Sequence, residues 1–286
     1  MADLTGLPAA PAFSESDRAF LRTYLARARR LPPGSWVSWW LDGYPFPIGW
    51  MSVERAEHLA RALPDDAPLE RVGERYIWKA ADLTSGQRSA TLKPIAEELR
   101  DQGLITGWRD ETYSCWGYRD DPWPYPQWEL FRLERAAFRY FGLRSHAAHV
   151  HGITTDGLMW CGRRAQDKTT DPGLLDNLAA GGIAAGEDPK HCAAREVFEE
   201  AGLFRAPPDL IGPPIEVVTE RTVPEGWHSE RLFVWSLMVD PGEYPANHDG
   251  EVSEYLAFDP ATVISLIRSG ALTDDAACAI AASFSG

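Results

Sequence analysis

Apolar positions along this 286-residue chain fall into two textures. In the first half they recur at helical spacing. Over residues 14–30, Phe20, Leu21, Tyr24, Leu25 and Ala28 share one face, and Ser14 with Asp17 supplies a start signal. A Pro- and Trp-rich passage, residues 31–47, has no period. A second helix is expected over 52–63, with Ser52 as N-cap and Pro64 as its stop, and a third over 89–102, ended by Gly103, with Pro94 near its start. Residues 119–128, RDDPWPYPQW, read as a rigid connector, and 130–141 as a short helix closed by Gly142.

From Ser145 the pattern becomes strand-like. Residues 147–154 and 158–164 flank Thr155-Asp156-Gly157, a hairpin signal. Further strands are expected at 178–184, 215–222, 231–239 and 251–258. Asp259-Pro260 then opens a helix, and a last helix covers 274–284. Strands alternating with a few helices indicate an α/β fold.

Length allows two modest domains or one elaborated one. The first residues, MADLTGLPAAPAF, show no basic segment followed by an apolar run, so no signal peptide is expected. No stretch approaches 18 uncharged apolar residues, which argues against a membrane span. Cys115, Cys161, Cys192 and Cys278 form no C-x-x-C pair or zinc spacing, so reduced, buried thiols and a cytoplasmic location are expected. The net charge of −14, without a basic stripe, argues against nucleic-acid binding. It also repels anions at long range, so an anionic substrate has to be held by metal ions and local Arg or Lys side chains.

The densest chemistry lies in residues 181–203, GGIAAGEDPKHCAAREVFEEAGL. Asp188-Pro189 starts a helix that should run to Ala201, with Gly202 as its left-handed cap. On it Glu196, Glu199 and Glu200 stand at i, i+3 and i+4, so the three carboxylates share a face and repel one another unless a cation joins them. Hard oxygen donors select Mg2+ or Mn2+. Ala194, Val197 and Ala201 face the other way, toward a sheet. Gly181, Gly182 and Gly186 allow close approach of backbone to metal and phosphate.

Outside this stretch, Glu251 follows His248-Asp249-Gly250; it reads either as a ligand or base or as an exposed strand start, and Glu254 is a weaker candidate. Arg164 and Lys168 are candidates for substrate phosphates, against plain surface solvation. His149 and His151 share a strand face but lack a third ligand nearby, so packing or hydrogen bonding is the expected role.

Gly181, Glu187, Arg195, Glu196, Val197, Glu199, Glu200, Gly202 and Leu203 fit G-x5-E-x7-R-E-U-x-E-E-x-G-U, with U a bulky apolar residue, at every fixed position. The segment resembles the Nudix box. The resemblance implies a mixed sheet sandwiched by helices, here over residues 144–286, after an N-terminal α/β accessory domain over 1–143. It implies a metal-dependent pyrophosphohydrolase, with Glu199 and Glu200, then Glu196, as metal ligands. Arg195 would orient box carboxylates, chiefly Glu187 and Glu199. The general base would be a box glutamate or a later carboxylate such as Glu251.

Flanking segments, FRLERAAFRYFGL from Phe131, WCGRR from Trp160 and GWRDE from Gly107, are similar to the Nudix domain joined to some fungal thiamine pyrophosphokinases and to its relatives. That similarity implies hydrolysis of thiamine diphosphate or its oxidised or antivitamin analogues to the monophosphate plus phosphate, with Trp108 and Trp160 as candidate stacking partners. The alternatives are a hydrolase of nucleoside diphosphate derivatives and a non-catalytic ligand-binding regulator.

Overall fold

The computed structural model describes residues 11–117, 129–168, 170–210, 212–248 and 250–286. The proline-rich stretch 119–128 and Asp249 lie outside them. The C-terminal half is built on one mixed sheet. Its strands are β7 (Arg144–Thr154), β8 (Met159–Arg164), β9 (Leu175–Asp176), β10 (Ala179–Gly182), β11 (Ile215–Val223), β12 (Gly226–Val239) and β13 (Val252–Phe258). The order is β11-β12-β7-β8-β13. β7 runs parallel to β12 on one side. On its other side it pairs with β10 through Ala147–Val150 and with β8 through Gly152 and Ile153. β10 and β8 thus take successive stretches of β7, and β10 sets Gly181 and Gly182 opposite Ala148 and Ala147.

Helices cover both faces. α5 (Pro189–Ala201) buries Cys192, Ala193, Val197 and Ala201 against Ala148, Val150 and Phe233. On the other face α6 (Pro260–Ser269) and α7 (Asp274–Phe284) pack with α1 (Glu15–Leu25) around Leu21, Val263, Ile280 and Ala281. The chain's first helix thus shares a core with its last. α1 stops at Leu25, short of the expected Arg30, because the next residues pair with an edge of the sheet: Arg30 N–H donates to Glu220 O (2.9 Å) and Glu220 N–H to Ala28 O (2.8 Å).

The N-terminal half carries a second sheet, ordered β2-β1-β4-β3, of β1 (Trp36–Leu41), β2 (Pro47–Ser52), β3 (Leu69–Val72) and β4 (Arg75–Trp78). Periodicity did not reveal these strands. In β1 three consecutive residues, Val37, Ser38 and Trp39, are buried, so apolar–polar alternation is absent. Trp39 and Trp78, both fully buried, centre this core with Phe131 and Phe141. Helix α2 (Val53–Ala62) follows its Ser52 cap as expected. Helix α3 (Ser85–Asp101) begins earlier than expected, because Thr84 and Gln87 form a capping box, and it carries Pro94 in its interior.

The expected helix over 130–141 is half strand. β6 (Glu129–Glu134) pairs antiparallel with β5 (Thr112–Trp116), and only α4 (Arg135–Phe141) is helical. Leu130, Phe131 and Leu133 satisfy a helical or an extended pattern about equally, and pairing with β5 decides the matter.

Candidate active site

Helix α5 forms as its sequence dictates. The Asp188 carboxylate accepts from the N–H groups of Lys190 (2.9 Å) and His191 (3.2 Å), and Gly202 closes the helix at φ 66°. Its buried seam of small residues brings the helix close to β10, which places the glutamates at the open edge of the sheet.

Arg195 is the hub. Its Nε and Nη2 donate to the two carboxylate oxygens of Glu187 (2.8 and 3.0 Å), and Nη1 donates to Glu196 (2.7 Å) and Glu199 (2.8 Å). The expected pairing with Glu187 and Glu199 is present, with Glu196 added. Against the effect of burial, the guanidinium holds Glu187 below its ordinary pKa. Burial lifts Glu196 to about 7, although Arg195 opposes it. Glu200 turns inward: only 8% exposed, it accepts from Ala180 N–H at 2.9 Å. Burial and then the charge of Glu196 hold its carboxyl well above the ordinary range.

The glycines ahead of the helix are sterically required. A Cβ on Gly181 would lie 2.0 Å from the Glu196 carboxyl, and one on Gly182 would lie 1.6 Å from the Tyr113 hydroxyl. The first contact seats a carboxylate against bare backbone, and the second lets the accessory hairpin touch the same strand.

A cavity of about 370 Å³ opens here. The C-terminal half lines it with Gly181, Gly182, Arg195, Glu196, Glu199 and Glu251, together with Arg164 and Lys168. The accessory half contributes Arg109, Glu111, Tyr113, Arg135 and Arg139. Glu251 reaches the cavity and forms an ion pair with Lys168. Against burial, that ammonium holds the carboxyl below its ordinary value. Arg164 is committed to its own loop: Nε and Nη2 donate to Thr170 O (3.0 and 2.9 Å) and Nη1 to Asp176 (3.2 Å). Glu254 pairs with Arg163 on an exposed part of the sheet.

Several candidates fall elsewhere. Trp108 does not line the cavity; its indole N–H donates to Asp110 at 2.8 Å and its ring lies under Arg100. Trp160 packs against the core beneath α5. Strand side chains alternate between faces, and at position 160 that turns the indole toward the helix, so neither expected stacking partner lines the cavity. His149 lines the cavity and His151 does not; both are buried and joined through Asn177 (2.8 and 3.2 Å), which is the hydrogen-bonding role expected of them. Burial and then His149 push His151 down to about 3. All four cysteines are buried free thiols.

A divalent cation fits the donor set. Glu196, Glu199 and Glu200 offer only carboxylate oxygens, Gly181 leaves room for the Glu196 carboxyl, and among the described residues the buried Glu200 carboxyl accepts a single hydrogen bond, from Ala180. Among the described residues, the three ligand atoms that lie within 4.8 Å of one another are those of His228, Glu230 and Asp275, not those of the box glutamates. Arg221 already neutralises Asp275 there through two hydrogen bonds of 2.7 and 2.8 Å. Sequence reasoning did not single out Tyr113, Arg135 or Arg139 by side chain, although the GWRDE and FRLERAAFR segments that position them had been noted for their resemblance. No helix among the described residues is long and apolar enough to cross a membrane.

The NUDIX domain family model matches residues 144–276, and that of a domain of unknown function (DUF4743) matches residues 70–145. Nudix hydrolase 20, chloroplastic, of Arabidopsis thaliana is 32% identical over 195 residues, covering 63% of this chain and 48% of that protein. Nudix hydrolase 24, chloroplastic, of the same plant is 31% identical over 193 residues, covering 66% and 51%. The chain spans about half the length of the curated relatives it matches. A crystal structure of DR0079 from Deinococcus radiodurans aligns with a TM-score of 0.44 and 20% identity, over 59% of this chain and 98% of that one. Residues 144–276, which carry the box helix and the glycine-floored cleft, are thus the part of the chain that matches the NUDIX domain family.

Proposed function

We propose that this protein hydrolyses the phosphoric anhydride of a small organic diphosphate with the help of Mg2+ or Mn2+. The observation that carries the reading is the Arg195 hub, which fixes Glu187, Glu196 and Glu199 beside a strand with no side chains at Gly181 and Gly182. Glu196, Glu199 and Glu200 would hold the cation, with Glu251 as a further ligand or as the base. When bound, the ion supplies positive charge to the diphosphate oxygens and makes the attacking water more acidic.

The chain's own groups do the rest. Arg195 holds the carboxylates together against their mutual repulsion and aims them at the cleft. A carboxylate accepts the proton of water as its oxygen bonds to phosphorus and the bridging P–O bond breaks, giving a monophosphate and orthophosphate. Lys168 holds Glu251 at the cavity wall, where it can take that proton.

For the organic group we favour thiamine diphosphate or its oxidised or antivitamin analogues, on the resemblance of the flanking segments. The alternative is a nucleoside diphosphate derivative. Tyr113 is the aromatic side chain that lines the cavity among the described residues. The His149 imidazole is a second ring in that lining, beside a majority of charged side chains. Phosphate release from oxythiamine diphosphate, thiamine diphosphate, a nucleotide sugar and a dinucleotide, with and without Mg2+, tests the proposal. Release from the thiamine compounds that needs Mg2+ supports it. A preference for the nucleotides overturns the substrate assignment, and no release from any member overturns the hydrolytic reading.

A further inference from the structure

We propose that Arg109 and Arg139, both supplied by the accessory half, bind the phosphate oxygens that face away from the box, so that the accessory half completes the active site. The inference rests on the hydrolytic reading above. A diphosphate held by a cation at the box turns some of its oxygens outward, and those need donors. Apart from the Arg195 hub, Arg164 and Lys168 are the candidates in the C-terminal half for that role. Both line the cavity, but Arg164 spends its guanidinium on Thr170 and Asp176, and Lys168 is paired with Glu251.

The accessory arginines are placed differently. α4 buries Ala137, Phe138, Tyr140 and Phe141 in its own core, which turns Arg135 and Arg139, one helical turn apart, toward the cleft. Arg135 is fixed by Glu111 at 2.7 Å and lies over the Tyr113 ring. Arg139 has only long contacts, 3.4 Å to the Thr170 hydroxyl and 3.8 Å to the Glu225 carboxylate.

Arg109 is presented by a constrained turn. Its backbone N–H donates to the buried Glu134 carboxylate at 3.0 Å, and the next residue, Asp110, sits at φ 57°, a conformation uncommon outside glycine. Among the described residues the Arg109 guanidinium makes no ion pair or hydrogen bond. The turn therefore holds at the cleft a guanidinium that feels the Glu251 charge without a direct contact to it, and the planar fork of donors matches phosphate oxygens. In a protein of net charge −14, two such side chains supply the local positive potential that an anionic substrate requires.

The test uses the full chain with Mg2+ and methylene diphosphonate, whose P–C–P link resists hydrolysis. Binding is measured by titration calorimetry for wild type, Arg109→Gln, Arg139→Gln, the double variant and Arg139→Lys, with the exposed Arg61→Gln on α2 as control. Mg2+-dependent phosphate release from a diphosphate substrate is followed in parallel. Each single Gln variant should weaken binding about tenfold or more, since each removes charge-assisted hydrogen bonds, and raise KM similarly. Arg139→Lys should recover part of the loss, and Arg61→Gln should match wild type. If the thermal midpoints are unchanged and the double variant binds and hydrolyses as wild type does, the arginine subsite is wrong while the hydrolytic reading stands. If wild type binds the diphosphonate through these arginines but releases no phosphate, the subsite stands and the hydrolytic reading fails. If wild type does not bind at all, the subsite is overturned.

Discussion

The Tyr113 hydroxyl occupies the space in which Gly182 would carry a side chain: a Cβ there would lie 1.6 Å from the oxygen. One residue earlier Thr112 O accepts from Ala185 N–H at 2.8 Å. Strand β5 of the accessory half is thereby fastened to the backbone that leads into the box helix, and the cleft has walls from both halves. Replacing Gly182 by Ala should force these walls apart. The expected cost is ~1–3 kcal/mol, the usual range for overpacking, together with a fall in activity. Gly34→Ala, where a Cβ meets nothing within 4 Å, should be silent in both the denaturant melt and the assay.

Arg195 holds three carboxylates with one guanidinium. Arg195→Gln should let them separate and repel, lowering the rate by roughly 10²-fold, the scale expected when ligands lose their geometry. Arg195→Lys keeps the charge but loses the two-pronged contact with Glu187, so it should fall between wild type and Gln. Steady-state kinetics over a Mg2+ titration would show both. A Lys variant equal to wild type would mean that charge alone matters.

Glu199→Gln and Glu200→Gln remove proposed metal-binding oxygens at nearly constant shape. Each should reduce the metal-dependent rate by about 10²-fold or more, because a lost ligand costs several kcal/mol of charge stabilisation. A variant within about threefold of wild type, a difference under ~1 kcal/mol, would remove that residue from the metal site. Chelation by EDTA should abolish activity, and added Mg2+ should restore it.

Part-buried Asp275 gives a pH-dependent term in stability. Despite its burial, His228 and Arg221 hold its carboxyl well below the reference value of 3.8. A depressed folded-state pKa means that this contribution is complete above the unfolded value and is lost as pH falls from there through the folded one. Urea unfolding of wild type should therefore weaken progressively below about pH 4. Asp275→Asn should remove this group's part of the slope and leave Arg221 without its partner, lowering stability at neutral pH by ~3–5 kcal/mol. An Asn variant as stable as wild type at pH 7 would show that the pair contributes no net stability.

Local signals located the box helix to the residue. Asp188, Pro189 and Gly202 act on backbone groups within a turn of themselves, so their effect does not depend on the rest of the fold. The same holds for the Ser14, Ser52 and Asp259 caps. Elements whose form depends on a distant partner were misread. The first half of the expected helix over 130–141 is a strand because β5 lies beside it, and β1 went unseen because burial on both faces erases alternation.

The site divides in the same way. Sequence alone determined that Glu187, Arg195, Glu196, Glu199 and Glu200 act together, because helical spacing and one short loop bring them close whatever surrounds them. Tertiary structure decided that Glu200 is buried while Glu199 faces the cleft, that Lys168 is occupied by Glu251, and that Trp108 and Trp160 lie elsewhere. It also brought Arg109, Tyr113, Arg135 and Arg139 to the box from positions 42 or more residues before Gly181. Such contacts form only when two separately built cores dock, and the docking surface is the sum of many side chains rather than a pattern along the chain.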